Sequence, residues 1–145
     1  MSEMQKLNNQ LCFSIYSTML AVNKAYRKLL KPLNLTYPQY LVMLVLWEKD
    51  AVNVSEICEK LHLETTTLTP LLKRLEAQNM LHRQRSKKDE RQVIVTLSTE
   101  GQKLKQSAQH VPMCMAECMG QPVDDLMNLK KQLITLRNQL EKEDS

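Results

Sequence analysis

At 145 residues the chain is long enough for one domain with a buried core, or for one domain with helical extensions. Its two glycines, Gly101 and Gly120, stand apart, which excludes the clustered glycines of a phosphate-cradling loop or a dinucleotide fingerprint, and aromatics at 4% are too few for a single-strand stacking platform. The net charge of +4 is local: seven bases against three acids between Lys73 and Arg91 account for all of it, and a basic zone on a balanced chain is a footprint for a polyanion.

The longest apolar run, Tyr40 to Trp47, is far too short to span a bilayer. The polar start MSEMQKLNNQ lacks an apolar signal core, so the expectation is a cytoplasmic protein with no membrane partner. In that compartment Cys12, Cys58, Cys114 and Cys118 are kept reduced by default.

In chain order, Leu7, Leu11, Ile15, Met19, Val22, Tyr26 and Leu30 recur at three- and four-residue steps and predict a long helix over Gln5 to Leu30. Lys31-Pro32 ends it, because proline disfavours helical geometry in the residue before it. Thr36-Tyr37-Pro38 reads as the next helix start, and Gln39 to Glu48 is apolar on nearly every side, as suits a central helix. A third helix begins near Val54-Ser55, with Ile57, Cys58 and Leu61 on its buried side, where Cys58 reads as a small core hydrophobe. After a polar junction, Thr65 to Asn79 resumes the helical period through Leu68, Leu71, Leu72 and Leu75. Two short helices joined this way suggest a helix-turn-helix.

From His82 the period changes to that of strands. His82 to Arg85 and Gln92 to Leu97 flank a polar turn, Ser86 to Glu90, which is a hairpin signal. Ser98-Thr99-Glu100 caps another helix, expected to fade at Pro112. The last helix, Val123 to Glu141, carries Leu126, Leu129, Leu133, Leu136 and Leu140 as a heptad seam. The predicted fold is mainly α with a small β-hairpin wing. A winged helix-turn-helix lobe spans residues 36–98 within a single domain over 1–145, and terminal helices over 5–30 and 99–142 build a homodimer.

On this scheme Thr65, Thr66, Thr67, Thr69 and Lys73 occupy the end of a recognition helix that enters the major groove of double-stranded DNA, and Arg74 is placed for phosphate. In the hairpin, Lys87 and Lys88 precede Asp89, which can orient Arg91 for a narrow minor groove. A dimer would read a pseudo-palindromic operator with half-sites about one helical turn apart. His62, His82 and His110 are scattered, and Cys114 with Cys118 supplies two ligands of the four a zinc site wants, so neither metal nor cofactor is expected.

LETTTLTPLLKRLE followed by SKKDERQVIVTLSTEG resembles the MarR family of dimeric winged-helix regulators over most of the chain. The resemblance implies a homodimer joined through its terminal helices, Asp89 and Arg91 as the wing pair, and Thr65, Thr67, Thr69, Lys73, Arg74 and Arg83 as further DNA contacts. The stretch LCFSIYSTMLAVNKAYRKLL…LTYPQYLVMLVLWE is similar to the organic-hydroperoxide-sensing OhrR branch of that family. That likeness implies a reactive cysteine at Cys12, with Tyr26 and Tyr37 bonding to it and stabilising its thiolate. It also implies a repressor released from DNA when an organic hydroperoxide oxidises Cys12, which then joins a late cysteine of the other subunit. Cys118 lies nearest the family's position for that second cysteine, and Cys114 is the alternative.

Geometry adds a constraint of its own. Fourteen residues separate Cys12 from Tyr26, about 21 Å along one straight helix, so such a bond must cross from one subunit to the other. A repressor released by a small phenolic or anionic ligand in an interhelical pocket is the competing reading. A thiol peroxidase would need a general acid and a regenerating partner for which no residue cluster stands ready, so no enzyme is expected. A helical interaction module without DNA is the remaining class, and salt-titrated footprinting separates it.

Overall fold

The computed structural model describes residues 2–144. Its main helices are α1 (Leu11–Leu30), α2 (Tyr37–Glu48), α3 (Val54–Leu61), α4 (Thr65–Ala77), α5 (Thr99–Ser107), α6 (Val111–Met119) and α7 (Val123–Glu143). Strands β1 (Val52–Asn53), β2 (Leu81–Arg85) and β3 (Val93–Leu97) complete it. They form one antiparallel sheet in the order β1-β3-β2, with Val52 opposite Val95 and Leu81 opposite Leu97. The architecture is the mainly helical, winged one that the patterning predicts.

The core gathers on α2 and α4. Met43, Leu46, Leu68, Leu72 and Leu75 are buried there with Leu30, Ile57, Leu81 and Val95, so the junction helices and the sheet close on one apolar centre. Thr36 caps α2 from both sides: its hydroxyl accepts from the Gln39 amide at 3.3 Å, and its own amide donates to the Gln39 side chain at 3.0 Å. Leu63 N–H returns to the Cys58 carbonyl at 3.0 Å, with His62 in the left-handed region, and this tight turn aims α4 away from α3.

Three expectations need correction. The first helix does not begin at Gln5; residues 3–9 form two short 3-10 turns, and regular helix starts at Leu11. The Asn9 side chain competes with the helical pattern there, its Nδ2 donating to the Glu3 carbonyl at 2.7 Å. The helix opened by Ser98 closes at Ser107, and Pro112 sits inside a new helix instead of ending one. At the second position of α6 its missing N–H would have had no helical partner anyway. Cys58 is half-buried against the core rather than enclosed by it, its Sγ 3.8 Å from the Thr65 hydroxyl.

The chain divides into two compact units, residues up to Val111 and residues from Pro112. In the second unit Leu129, Leu133 and Leu140 of the α7 seam remain exposed, as do Leu11, Ile15 and Met19 on α1 in the first.

Candidate nucleic-acid interface and thiol site

α4 is anchored by its leucines and presents its first turn to solvent. Thr65, Thr66 and Thr67 are exposed, and Glu64 at the N-cap makes no side-chain cap, so the first amides of that turn receive no side-chain acceptor from it. The Thr69 hydroxyl donates to the Thr65 carbonyl at 2.8 Å, which occupies its proton and leaves its oxygen as an acceptor. Pro70, inside the helix, has no N–H to return to the Thr66 carbonyl. Lys73 and Arg74 follow, both exposed.

The wing loop is organised by its own side chains. Ser86 Oγ accepts from the amides of Lys88 and Asp89, and Asp89 Oδ1 accepts from the Arg91 amide at 3.1 Å and from its Nε at 3.4 Å. The Arg91 side chain is 93% exposed, so the pair adds little to stability and orients a projecting guanidinium. Arg85 is spent locally, its Nη1 donating to the Glu90 carbonyl at 2.8 Å.

Between α4 and the wing lies a groove of about 370 Å³, lined in part by Thr65, Thr69, Arg83 and Arg91, with Asn53 and Ser55 at its α3 wall. Sequence reasoning missed Asn53 and Ser55, although Asn53-Val54-Ser55-Glu56 is a readable cap. The Asn53 Oδ1 accepts from the Glu56 amide and the Ser55 hydroxyl, both at 2.8 Å. Glu76 was also missed. Its carboxylate takes the Arg83 guanidinium through Nη2 at 3.0 Å and Nε at 3.3 Å, so Arg83, expected at DNA, is engaged within the protein.

The thiol site has two separated parts. Tyr26 of α1 stacks on Tyr37 of α2, centroids 4.2 Å apart, and Tyr40 stands 5.9 Å from Tyr26. Burial, then the neighbouring Tyr37 and Tyr40, push the Tyr26 phenol up to about 12, and burial raises Tyr37 as well. Both phenols therefore stay protonated and able to donate at neutral pH. Cys12 lies at the other end of the same unbroken helix and is exposed. In α6, Cys114 is half-buried and Cys118 exposed. Among the described residues no group of three or more His, Cys, Asp or Glu side chains is arranged to hold a metal, and no helix is long and apolar enough to cross a membrane.

Residues 24–108 match the family of Transcriptional regulator SarA/Rot. The organic hydroperoxide resistance transcriptional regulator of Bacillus subtilis is 44% identical over 131 residues, covering 90% of this chain and 89% of that protein. The chain is a transcriptional regulator of the MarR/SarA type. Reduced AbfR bound to DNA superposes on this regulator with a TM-score of 0.85 at 35% identity, over 99% of both chains. Disulfide-formed AbfR gives a TM-score of 0.65 at 38% identity, over 91% of this chain and 95% of that one. AbfR comes from Staphylococcus epidermidis. The regulator is accordingly a DNA-binding protein of this type and not an enzyme.

Proposed function

We propose that this regulator is a thiol-based repressor that leaves DNA when an organic hydroperoxide oxidises Cys12. In the reduced homodimer, α4 enters the major groove through Thr65, Thr66, Thr67 and Thr69, Lys73 and Arg74 meet phosphate, and Lys88 and Arg91 approach from the wing with Asp89 orienting Arg91. The exposed apolar faces of α1 and α7 bury each other's counterparts between subunits, and the two α4 helices then address a pseudo-palindromic site.

The Cys12 thiolate attacks the hydroxyl-bearing peroxide oxygen; the O–O bond breaks, the alkoxide leaves and takes a proton from solvent to become an alcohol, and sulfur becomes a sulfenic acid. The thiol of Cys118, or secondarily of Cys114, in the other subunit then attacks that sulfur, forming a disulfide and releasing water. The link displaces the winged lobes, both half-sites can no longer be held together, and avidity is lost.

The observation that carries this reading is the split site: paired, protonated tyrosines at one end of α1 and an exposed cysteine at the other, too far apart to meet within one chain. A dimer that crosses its first helices antiparallel brings each Cys12 to the opposite tyrosines. Solved structures of AbfR exist both reduced on DNA and disulfide-formed, which supports the same chemistry here. Operator binding followed by fluorescence anisotropy, before and after one equivalent of cumene hydroperoxide, tests the reading. Wild type should release DNA on oxidation and Cys12→Ser should hold it; release by Cys12→Ser to the wild-type extent overturns the proposal.

A further inference from the structure

The join between the recognition helix and the wing rests on one residue of each. β2 is an edge strand of the sheet, so at Arg83, paired opposite Val95, the amide can face away from β3 toward α4. Glu76, in the last turn of α4, meets it: Oε2 accepts that amide at 3.0 Å, while Oε1 accepts Nη2 at 3.0 Å and Nε at 3.3 Å. One carboxylate thus holds one arginine by main chain and side chain together, which resists rotation of the strand as well as its departure.

The rest of the face explains why that matters. Thr65, Thr69, Leu72 and Glu76 follow one another at four-, three- and four-residue steps, so they share one side of α4. The first three line the groove whose other wall includes Arg83, Arg91, Gln92 and Val93. Helix and wing face each other along this side, and Glu76 fastens it at the end remote from the exposed threonines. Any tilt at that fastening moves the wing tip relative to the first turn of α4.

Arg83 is also poorly suited to phosphate. Its side chain is 26% exposed and two of its donor nitrogens are taken, whereas Arg91, on the same groove, is 93% exposed. We propose that Glu76 and Arg83 are positioning residues for operator binding, and that Arg83 acts on DNA only by setting the angle between wing and recognition helix. This rests on the DNA-binding part of the function above and is independent of its redox part.

The sign of one effect separates this from simple electrostatics. Removing a carboxylate beside a DNA-binding face should tighten binding if charge alone matters, because repulsion of phosphate is relieved. Positioning predicts that Glu76→Gln weakens it, by about tenfold, since a charge-assisted fork is lost. Arg83→Lys keeps the charge but cannot fork onto the carboxylate, so it should weaken binding about as much as Arg83→Gln.

The experiment measures affinity and its salt dependence for the reduced full chain on a duplex selected from random-sequence DNA by wild type. Thermal melting of each variant is run alongside. The expected result is weaker binding by Glu76→Gln, no further loss when Arg83→Gln is added, and an unchanged salt slope in every variant, single or double. Equal or tighter binding by Glu76→Gln overturns the proposal. So does an Arg83→Gln variant whose slope falls in magnitude by about 0.9, the mark of one phosphate contact, while Arg83→Lys binds as wild type. If a glutamine variant melts below the assay temperature, Arg83→Lys decides alone: weakened binding supports positioning and wild-type binding overturns it. Wild type that selects no duplex would refute DNA binding itself, a different failure.

Discussion

Tyr26 and Tyr37 stack ring on ring at 4.2 Å although they belong to successive helices, and the contact exists because each is fixed independently. Leu30, fully buried one turn after Tyr26, seats the end of α1 in the core, while the Thr36–Gln39 cap fixes the first turn of α2 and Tyr37 within it. Two phenols are thereby held together in an apolar setting before any thiol arrives.

That setting has a consequence at high pH. An unfolded tyrosine loses its proton near pH 10, whereas Tyr26 keeps its proton to about 12. The native state then binds more protons than the unfolded one, so stability is whole below about pH 10 and falls as pH rises toward about 12. Tyr26→Phe should lose less urea stability than wild type between about pH 9 and pH 11. Parallel losses in the two proteins would contradict the burial assigned to this phenol.

At the DNA face, exposed Lys73 and exposed Arg91 should each meet one phosphate or the charged floor of the minor groove. Lys73→Gln and Arg91→Gln are expected to weaken operator binding and to lower the slope of log affinity against log salt by about 0.9 each. Filter binding across a salt series checks this; slopes equal to wild type would remove those residues from the interface.

The late cysteines differ in access, Cys118 being exposed and Cys114 half-buried. Non-reducing electrophoresis after stoichiometric organic hydroperoxide should therefore show a covalent dimer in wild type and Cys114→Ser, and none in Cys12→Ser or Cys118→Ser. A dimer that survives Cys118→Ser and disappears with Cys114→Ser would exchange the roles of the two thiols.

The parts of the fold legible in the sequence are those where local chemistry and burial agree. Thr36-Tyr37-Pro38-Gln39 carries its own cap, and the leucines of α4 repeat with the helical period, so both helices can be placed from residues alone. β1 escaped notice because a two-residue strand has no periodicity; it exists through its pairing with β3 and through Asp50, whose carboxylate accepts the Leu97 amide at 2.9 Å. Pro112 misled because the same residue closes a helix it follows and opens one it begins.

The candidate site divides along the same line. Exposed threonines, lysines and the wing pair follow from residue type and spacing, and so does the separation of Cys12 from Tyr26, which is only helix length. The commitment of Arg83 to Glu76 does not, since it depends on how a strand edge meets the end of a helix. In the sequence Glu76 counts merely as one acid within a basic zone.

Whether each thiol is served by tyrosines of the opposite chain is most directly tested with mixed dimers. Cys12→Ser chains combined with Tyr26→Phe chains give a heterodimer whose single Cys12 faces Tyr26 only if the two residues meet across subunits. Iodoacetamide should alkylate that Cys12 at the wild-type rate, faster than in the Tyr26→Phe homodimer. A heterodimer rate no different from that slow homodimer would contradict the shared site.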